Sequence, residues 1–309
     1  MALRSKKIEE EVIYHPFAEG KNLRIGKWGT KGPQVVFTPG NGFTGHTYLP
    51  ALRPLLDQTQ LYIVNPRGQG GSDAPDEWNS WDEAAEDLIA FIEQQLSPPV
   101  VLAGHSFGGV ISLWIAAHRP DLVSGLILMD PTIPHSRKEN WLPVDWDGGK
   151  LIESTLNRTF EWTDRKAAHK ALHHKGPYEG WNEDAFDLFI QKGLKEATNA
   201  NGEASVQLVC PPWLESRVYA TRPTESLLEW LPKVKVPTMM LKGTESLYCS
   251  TKALQEIAEN TPQASINTVQ GGHCFPQQNP KTTGKLVAQI WALLEGQLPH
   301  RQAYFDKFR

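Results

Sequence analysis

Residues 100–117 hold the feature that most narrows what this chain can become. Val100–Ala103 is a short apolar, β-branched run, long enough for a buried strand. Gly104-His105-Ser106-Phe107-Gly108 then spells G-x-S-x-G, and Ile111, Leu113, Trp114 and Ala117 recur at helical spacing behind it. A serine in that setting sits on a sharp strand-to-helix turn, where glycines two positions before and two after let chain segments approach closely. The turn exposes the hydroxyl at a helix N-terminus, whose amides favour developing negative charge. The same five letters occur by chance in ordinary loops, but such loops lack the strand before and the helix after. Ser106 is therefore read as a nucleophile.

The flanking chain repeats the alternation. Glu11–Phe17 and Leu23–Trp28 read as an antiparallel hairpin, and Gln34–Thr38 as a central strand. A short helix over Tyr48–Leu56 precedes the strand Leu61–Val64. Trp81–Leu96 has the clearest helical stripe, with Trp81, Ala85, Leu88, Ile92 and Leu96 on one face. Leu126–Met129 is a further strand, ending at Asp130-Pro131. Strands and helices in turn imply βαβ units, hence a mainly parallel, doubly wound sheet covered on both faces: an α/β fold. After Pro134 the texture changes. Residues 134–232 lack convincing buried strands, are rich in Trp, Lys and Glu, and show helical periodicity at Leu151–Phe160, Lys166–His174 and Glu183–Ala197. This is expected to be an inserted helical cap, leaving 1–133 and 233–309 as the core. The alternation resumes with Val236–Leu241, Thr251–Glu259, Ile266–Val269 and Lys281–Leu298.

A serine hydroxyl needs a base to take its proton. In a doubly wound sheet that base comes from loops at the C-terminal ends of strands. His273 fits: it follows Ile266–Val269 through Gln270-Gly271-Gly272 and comes last in the order Ser, acid, His. Of the other histidines, His15, His46, His118, His135 and His300 lack a comparable setting, and His105, inside the turn, is read as facing away and packing. The imidazole needs a carboxylate to hold its tautomer. Two positions compete: Asp130, directly at a strand end, and Glu245, in the loop Gly243-Thr244-Glu245-Ser246. Asp130 is favoured because a strand end fixes a side chain better than a loop does, and Glu245 is kept in reserve. A developing oxyanion calls for two amides, those of Phe107 and of Asn41 in Pro39–Gly45, with Gly42 and Phe43 as alternatives to Asn41. The Asn41 side chain is either a third donor or part of an Asx turn.

Several other functions are disfavoured. A formal net charge of −4 gives no electrostatic case for nucleic acid or anionic membrane. The loop Arg67-Gly68-Gln69-Gly70-Gly71 lacks the spacing of phosphate-binding motifs and reads as a structural turn. His169 and His173 share a helix face but have no third ligand in register, so no metal is expected, and no organic cofactor. Three cysteines without C-x-x-C suit a reduced cytoplasmic protein, and Cys274 is read as packing. The N-terminus has no apolar signal-peptide region, and no stretch approaches a membrane span.

By these residues the chain resembles the α/β-hydrolase fold family, in its serine-nucleophile branch with a helical cap. The resemblance covers nearly the whole chain and rests on the Gly40-Asn41 loop, Arg67-Gly68-Gln69-Gly70, the turn around Ser106 and Gly272-His273. Family members commonly carry an aspartate where this chain has Ser246, and some place the acid at the position of Asp130 instead. The family includes dehalogenases and epoxide hydrolases, which use an aspartate nucleophile, so a serine here disfavours both reactions. The resemblance implies a serine hydrolase acting on a small carboxylic ester, lactone or thioester. Carbon–carbon cleavage next to a ketone and acyl transfer are the enzymatic alternatives, and a ligand-binding scaffold is the non-enzymatic one. The expected partner is a small ester-like molecule, met by a monomer or a homodimer; the cap tryptophans either supply an apolar pocket wall or fill the core.

Overall fold

A computed structural model describes residues 9–132, 148–225, 229, 231–249, 251–261 and 264–296. In its central strands, successive side chains go to opposite faces. Along β5 (Val100–His105), Val100 and Leu102 join one hydrophobic core while Val101 and Ala103 join the other. Along β6 (Val123–Met129), Leu126 and Leu128 divide from Ile127 and Met129 in the same way. A strand apolar on both faces is stable only with both faces covered, which is why the runs are continuous rather than alternating.

Among the described residues the main sheet has eight strands. β1 (Glu11–Ala18) and β2 (Lys21–Trp28) form an antiparallel hairpin, and β2 pairs antiparallel with β4 (Gln60–Val64). From β4 onward the pairing is parallel, through β3 (Gln34–Thr38), β5, β6, β10 (Thr238–Gly243) and β11 (Ala264–Val269). The α/β reading is borne out. α2 (Asp82–Gln95), α3 (Phe107–His118) and α8 (Thr251–Asn260) supply one core. Tyr48, Leu52 of the short α1 (Leu49–Leu52) and Val287, Ile290 and Trp291 of α10 (Pro280–Glu295) supply the other. Burying each such large side chain contributes roughly 1.5–3 kcal/mol before entropy is counted.

Three stretches depart from expectation. The single helix expected over Tyr48–Leu56 is broken into 3₁₀, α and 3₁₀ pieces, because Pro50 and Pro54 remove the amides a continuous helix needs. The strand expected at Val236 starts at Thr238, after Pro237. The insertion between β6 and β10 is not wholly helical: α4 (Gly148–Leu156), α5 (Arg165–Leu172), α6 (Glu183–Lys192) and α7 (Pro212–Ala220) surround a three-stranded antiparallel sheet. Its strands are β7 (Glu161–Trp162), β8 (Leu194–Thr198) and β9 (Ala204–Leu208). Gly193 ends α6, and Asn199–Glu203 turns the chain back, so Leu194, Val206 and Leu208 bury one face. The expected start of the cap, together with Trp141, Trp146, Trp230, His135 and His300, falls outside the described residues.

The start of the described chain is clasped to the loop that follows β3. Glu10 accepts from Arg24 on β2 (2.7 Å) and lies 3.1 Å from His46 Nε2. Burial alone would raise its carboxyl, but His46 and Arg24 outweigh that and hold it at about 2, against the ordinary 4.5. The clasp therefore contributes its full stability above pH 4.5 and loses it as the pH falls toward about 2. Thermal melts of Glu10→Gln should show a lower Tm at pH 7 and a smaller further loss between pH 4.5 and 2 than the parent protein. Equal melting at pH 7 would show that the clasp holds nothing.

Candidate active site

Ser106 lies between β5 and α3 with φ 54° and ψ −117°. Among the described residues only Ser106, Asp130 and His174 combine a side chain with positive φ, and two of these three lie together here. The turn is possible because its glycines have no side chains. A Cβ on Gly104 would stand 2.3 Å from the Gly108 carbonyl, and one on Gly108 would stand 2.1 Å from the Thr38 oxygen.

Three chain-distant side chains meet at this turn. His273 Nε2 is 2.9 Å from Ser106 Oγ, and His273 Nδ1 is 2.6 Å from Asp130 Oδ2. Asp130 is fully buried at the end of β6, where its main-chain N–H donates to the Leu241 carbonyl (2.7 Å). Its Oδ1 accepts from the Gly243 amide at 3.0 Å, and its Oδ2 also accepts from the Ser246 hydroxyl. Three donors thus meet a carboxylate that has lost its water, which a buried charge requires. Glu245 takes no part: it is exposed, lines the cavity, and makes no hydrogen bond to His273. Ser246, in the loop after β10, holds Asp130 at the end of the neighbouring strand β6.

With Nδ1–H given to Asp130, His273 Nε2 is left as an acceptor for the Ser106 hydroxyl. Thr132 Oγ1, 2.9 Å from Ser106 Oγ, then donates to the same oxygen. Tyr248 stacks on the His273 ring from one side (centroids 4.4 Å) and His105 lies 4.7 Å away. His105 does pack, but it has a further part. Buried and beside His273, it has its pKa pushed well down, so it is neutral. Its Nε2–H donates to the His273 carbonyl (2.8 Å), its Nδ1 accepts from the Tyr48 hydroxyl (2.7 Å), and that oxygen accepts from the Gly40 amide (3.0 Å). The chain of bonds ties the histidine's backbone to the loop after β3.

In that loop, the Gly42 amide donates to Gln69 Oε1 (2.8 Å) and the Phe43 amide to the Gly40 carbonyl (3.3 Å). Among the described residues the Asn41 amide has no acceptor, and neither has the Phe107 amide, the first of α3. The Asn41 side chain gives one Nδ2 hydrogen to the Glu215 carbonyl (3.0 Å), and its buried Oδ1 accepts no hydrogen bond among the described residues, so it forms no Asx turn. The glycine loop at 67–71 braces this arrangement through Gln69, while Arg67 pairs with Asp87 and Glu83 on α2.

Ser106, His273 and Asn41 open on a cavity of about 780 Å³, walled on the far side by α4, Arg158 and the α7 segment. The size suits a small molecule. Among the described residues only Trp81 of the tryptophans lines it, and Trp81 belongs to the core; the described cap tryptophans, Trp162, Trp181 and Trp213, do not. Trp181, for example, is spent inside, edge-on to Phe43 (5.1 Å). Burial pushes the Cys274 thiol up to about 12, so it packs rather than reacts. Outside the cavity, His173, His174 and Glu183 bring ligand atoms within 4.8 Å of one another. Glu183, from α6, is a neighbour that spacing along α5 could not reveal. His169 is not in that group and stacks on His173 instead (4.9 Å).

The arrangement can withdraw a proton from an alcohol and offer two amides to an anion formed beside it. Residues 35–284 match the family described as the alpha/beta hydrolase family. The Lipase LipV of Mycobacterium tuberculosis is 34% identical over 113 residues, which are 36% of this chain and 42% of that protein. The match thus spans less than half of the lipase. The 2-(acetamidomethylene)succinate hydrolase of Mesorhizobium japonicum is 23% identical over 264 residues, 84% of this chain and 88% of that one. The crystal structure of an E-2-(acetamidomethylene)succinate hydrolase superposes with TM-score 0.72 at 21% identity, covering 91% of this chain and 98% of the other.

Asp130→Asn should lower kcat by about 10⁴-fold, the size of effect when a triad acid loses its charge but keeps its shape. Glu245→Gln should cost less than about tenfold, and Ser246→Ala should fall between the two. Steady-state kinetics on one ester decides the order; a reversed ranking of the two acids would move the carboxylate to the later loop.

Proposed function

The chain belongs to the alpha/beta hydrolase family, and from that premise we propose that it is a serine hydrolase cleaving a small carboxylic ester, lactone or thioester. The observation that carries the reading is the hydrogen-bonded line Ser106–His273–Asp130 opening on a cavity of small-molecule size. His273 takes the Ser106 proton as Oγ attacks the substrate carbonyl, while Asp130 steadies the imidazolium. The amides of Asn41 and Phe107 receive the oxyanion, and their lack of other acceptors suits that role. His273 then protonates the departing alcohol or thiol, and the bond to it breaks, leaving an acyl group on Ser106. Water, deprotonated by His273, attacks the acyl-enzyme, and the serine leaves with the returned proton. None of these steps calls for a metal or an organic cofactor. Residues 134–232 act as a cap over the cavity, and the core residues act as the catalytic floor.

The backbone strain at Ser106 supports the same reading. A side chain held at φ 54° persists only where the surrounding structure over-determines it, here through the Ser106 amide bond to Met129 (2.9 Å) and the glycine contacts below.

Turnover of p-nitrophenyl acetate and butyrate tests the class. Ser106→Ala should lower kcat/KM by at least about 10³-fold with the melting temperature preserved. A fluorophosphonate should label the parent protein at Ser106. Labelling without any ester turnover would shift the reading to carbon–carbon cleavage or to a binding scaffold, and near-full activity in Ser106→Ala would remove the mechanism.

A further inference from the structure

On the far wall of the cavity stands an arginine that, among the described residues, no carboxylate pairs with. Two arginines line the cavity. Arg158 is engaged: its Nη1 and Nη2 both donate to the buried Glu215 carboxylate. Arg222, just past α7, is not. Its Nη1 donates to the main-chain carbonyls of Tyr219 (2.6 Å) and Thr221 (2.5 Å), and among the described residues no carboxylate pairs with it. A guanidinium has five N–H groups, so Nε–H and both hydrogens of Nη2 are left without an acceptor among the described residues. They are not sealed in: neither atom is among the buried polar atoms that lack partners. Burial lowers the Arg222 pKa with no acid to oppose it, yet an arginine keeps its charge in a folded protein.

The group is also held in place. The guanidinium lies over the Trp81 ring, 5.8 Å from its centroid, and Trp81 Nε1 is bonded to the Val218 carbonyl at 2.9 Å. The two bonds through Nη1 fix the plane of the fork before any ligand arrives. A fixed planar fork with free N–H groups matches a carboxylate, which accepts two parallel bonds in one plane. The remaining unpaired charges on the cavity lining are Glu179 and Glu245, both exposed. They disfavour a polyanion such as a phosphate, leaving a single carboxylate as the better fit.

We propose that Arg222 is an anion-binding residue, and that the substrate cleaved at Ser106 carries a second, free carboxylate, held by Arg222 against the Trp81 face. The inference rests on the serine-hydrolase reading and narrows its substrate class to monoanionic esters, lactones or thioesters. Arg222 would then set specificity without touching the reacting carbonyl.

Two esters of similar acyl length test this: p-nitrophenyl butyrate, neutral, and mono-p-nitrophenyl glutarate, anionic. The parent protein should favour the glutarate ester in kcat/KM. In Arg222→Met the ratio of the two kcat/KM values should fall by about tenfold or more, mainly through KM, and Arg222→Lys should recover part of it. Calorimetry supplies a readout that needs no turnover: the monoanion glutaramate should bind the parent protein more tightly than inorganic phosphate does, and Arg222→Met should weaken glutaramate by about tenfold. If Arg222 only caps the C-terminal end of α7, Arg222→Met will lower the melting temperature and leave the ratio where it was, which overturns the proposal. Equal use of the two esters by the parent protein, or phosphate binding as tightly as glutaramate, overturns it as well. Absence of turnover with both esters, while glutaramate still binds through Arg222, would strike the hydrolase reading and leave the anion site standing.

Discussion

A carboxylate with no access to water has to be surrounded by donors, and in this protein that requirement organises the edge of the sheet where β6 and β10 end. Asp130 receives an amide from Gly243, a hydroxyl from Ser246 and an imidazole N–H from His273. Each donor belongs to a different feature of the chain, so satisfying one charge fixes the start of the loop after β10 and the loop after β11 at once. The loss of any one donor leaves the others around a charge that is less well solvated, which makes the constellation interdependent rather than a sum of pairs.

His105 extends this dependence across the sheet. Because it is neutral, its two ring nitrogens have opposite roles, one donating to the His273 backbone and one accepting from Tyr48. A charged imidazole would have two donors and no acceptor for the tyrosine hydroxyl. The loop that carries Asn41 and the loop that carries His273 are thereby kept in register by two buried side chains, His105 and Tyr48. Precision of this kind is what a reacting geometry needs, since small displacements of a positioned group cost large factors in rate.

The two parts of the molecule divide their tasks. The sheet and its loops hold the groups that would make and break bonds, on strand ends that are rigid because both sheet faces are covered. The insertion supplies the far wall, with Arg158 neutralised by Glu215 and Arg222 left open. Chemistry and selection can therefore vary separately, because the elements that carry them share a cavity rather than a strand.

Much of the core was legible in the sequence because its signals are local. A continuous apolar run of β-branched residues, then G-x-S-x-G, then a 3.6-residue period, describes β5, the turn and α3 without knowledge of anything else. The helix α2 was legible in its stripe for the same reason. The insertion was not. The strands β8 and β9 are short, exposed on one face and reached through Gly193 and the Asn199–Glu203 turn, so in the sequence the helical period of α6 runs on to Ala197. The tryptophans of that region suggested a pocket wall, whereas Trp181 is consumed in packing against Phe43.

What the sequence determined by itself is the sheet-and-helix order and the identity of the residues able to do the chemistry, because periodicity and motif spacing are properties of neighbouring positions. What only the tertiary structure decided is which of them meet. Asp130 rather than Glu245 stands beside His273, Ser246 serves the acid, His105 holds a backbone 168 residues away, and no carboxylate among the described residues pairs with Arg222. Those outcomes depend on hydrogen bonds between segments far apart along the chain, and no local pattern encodes a partner whose distance in sequence is arbitrary.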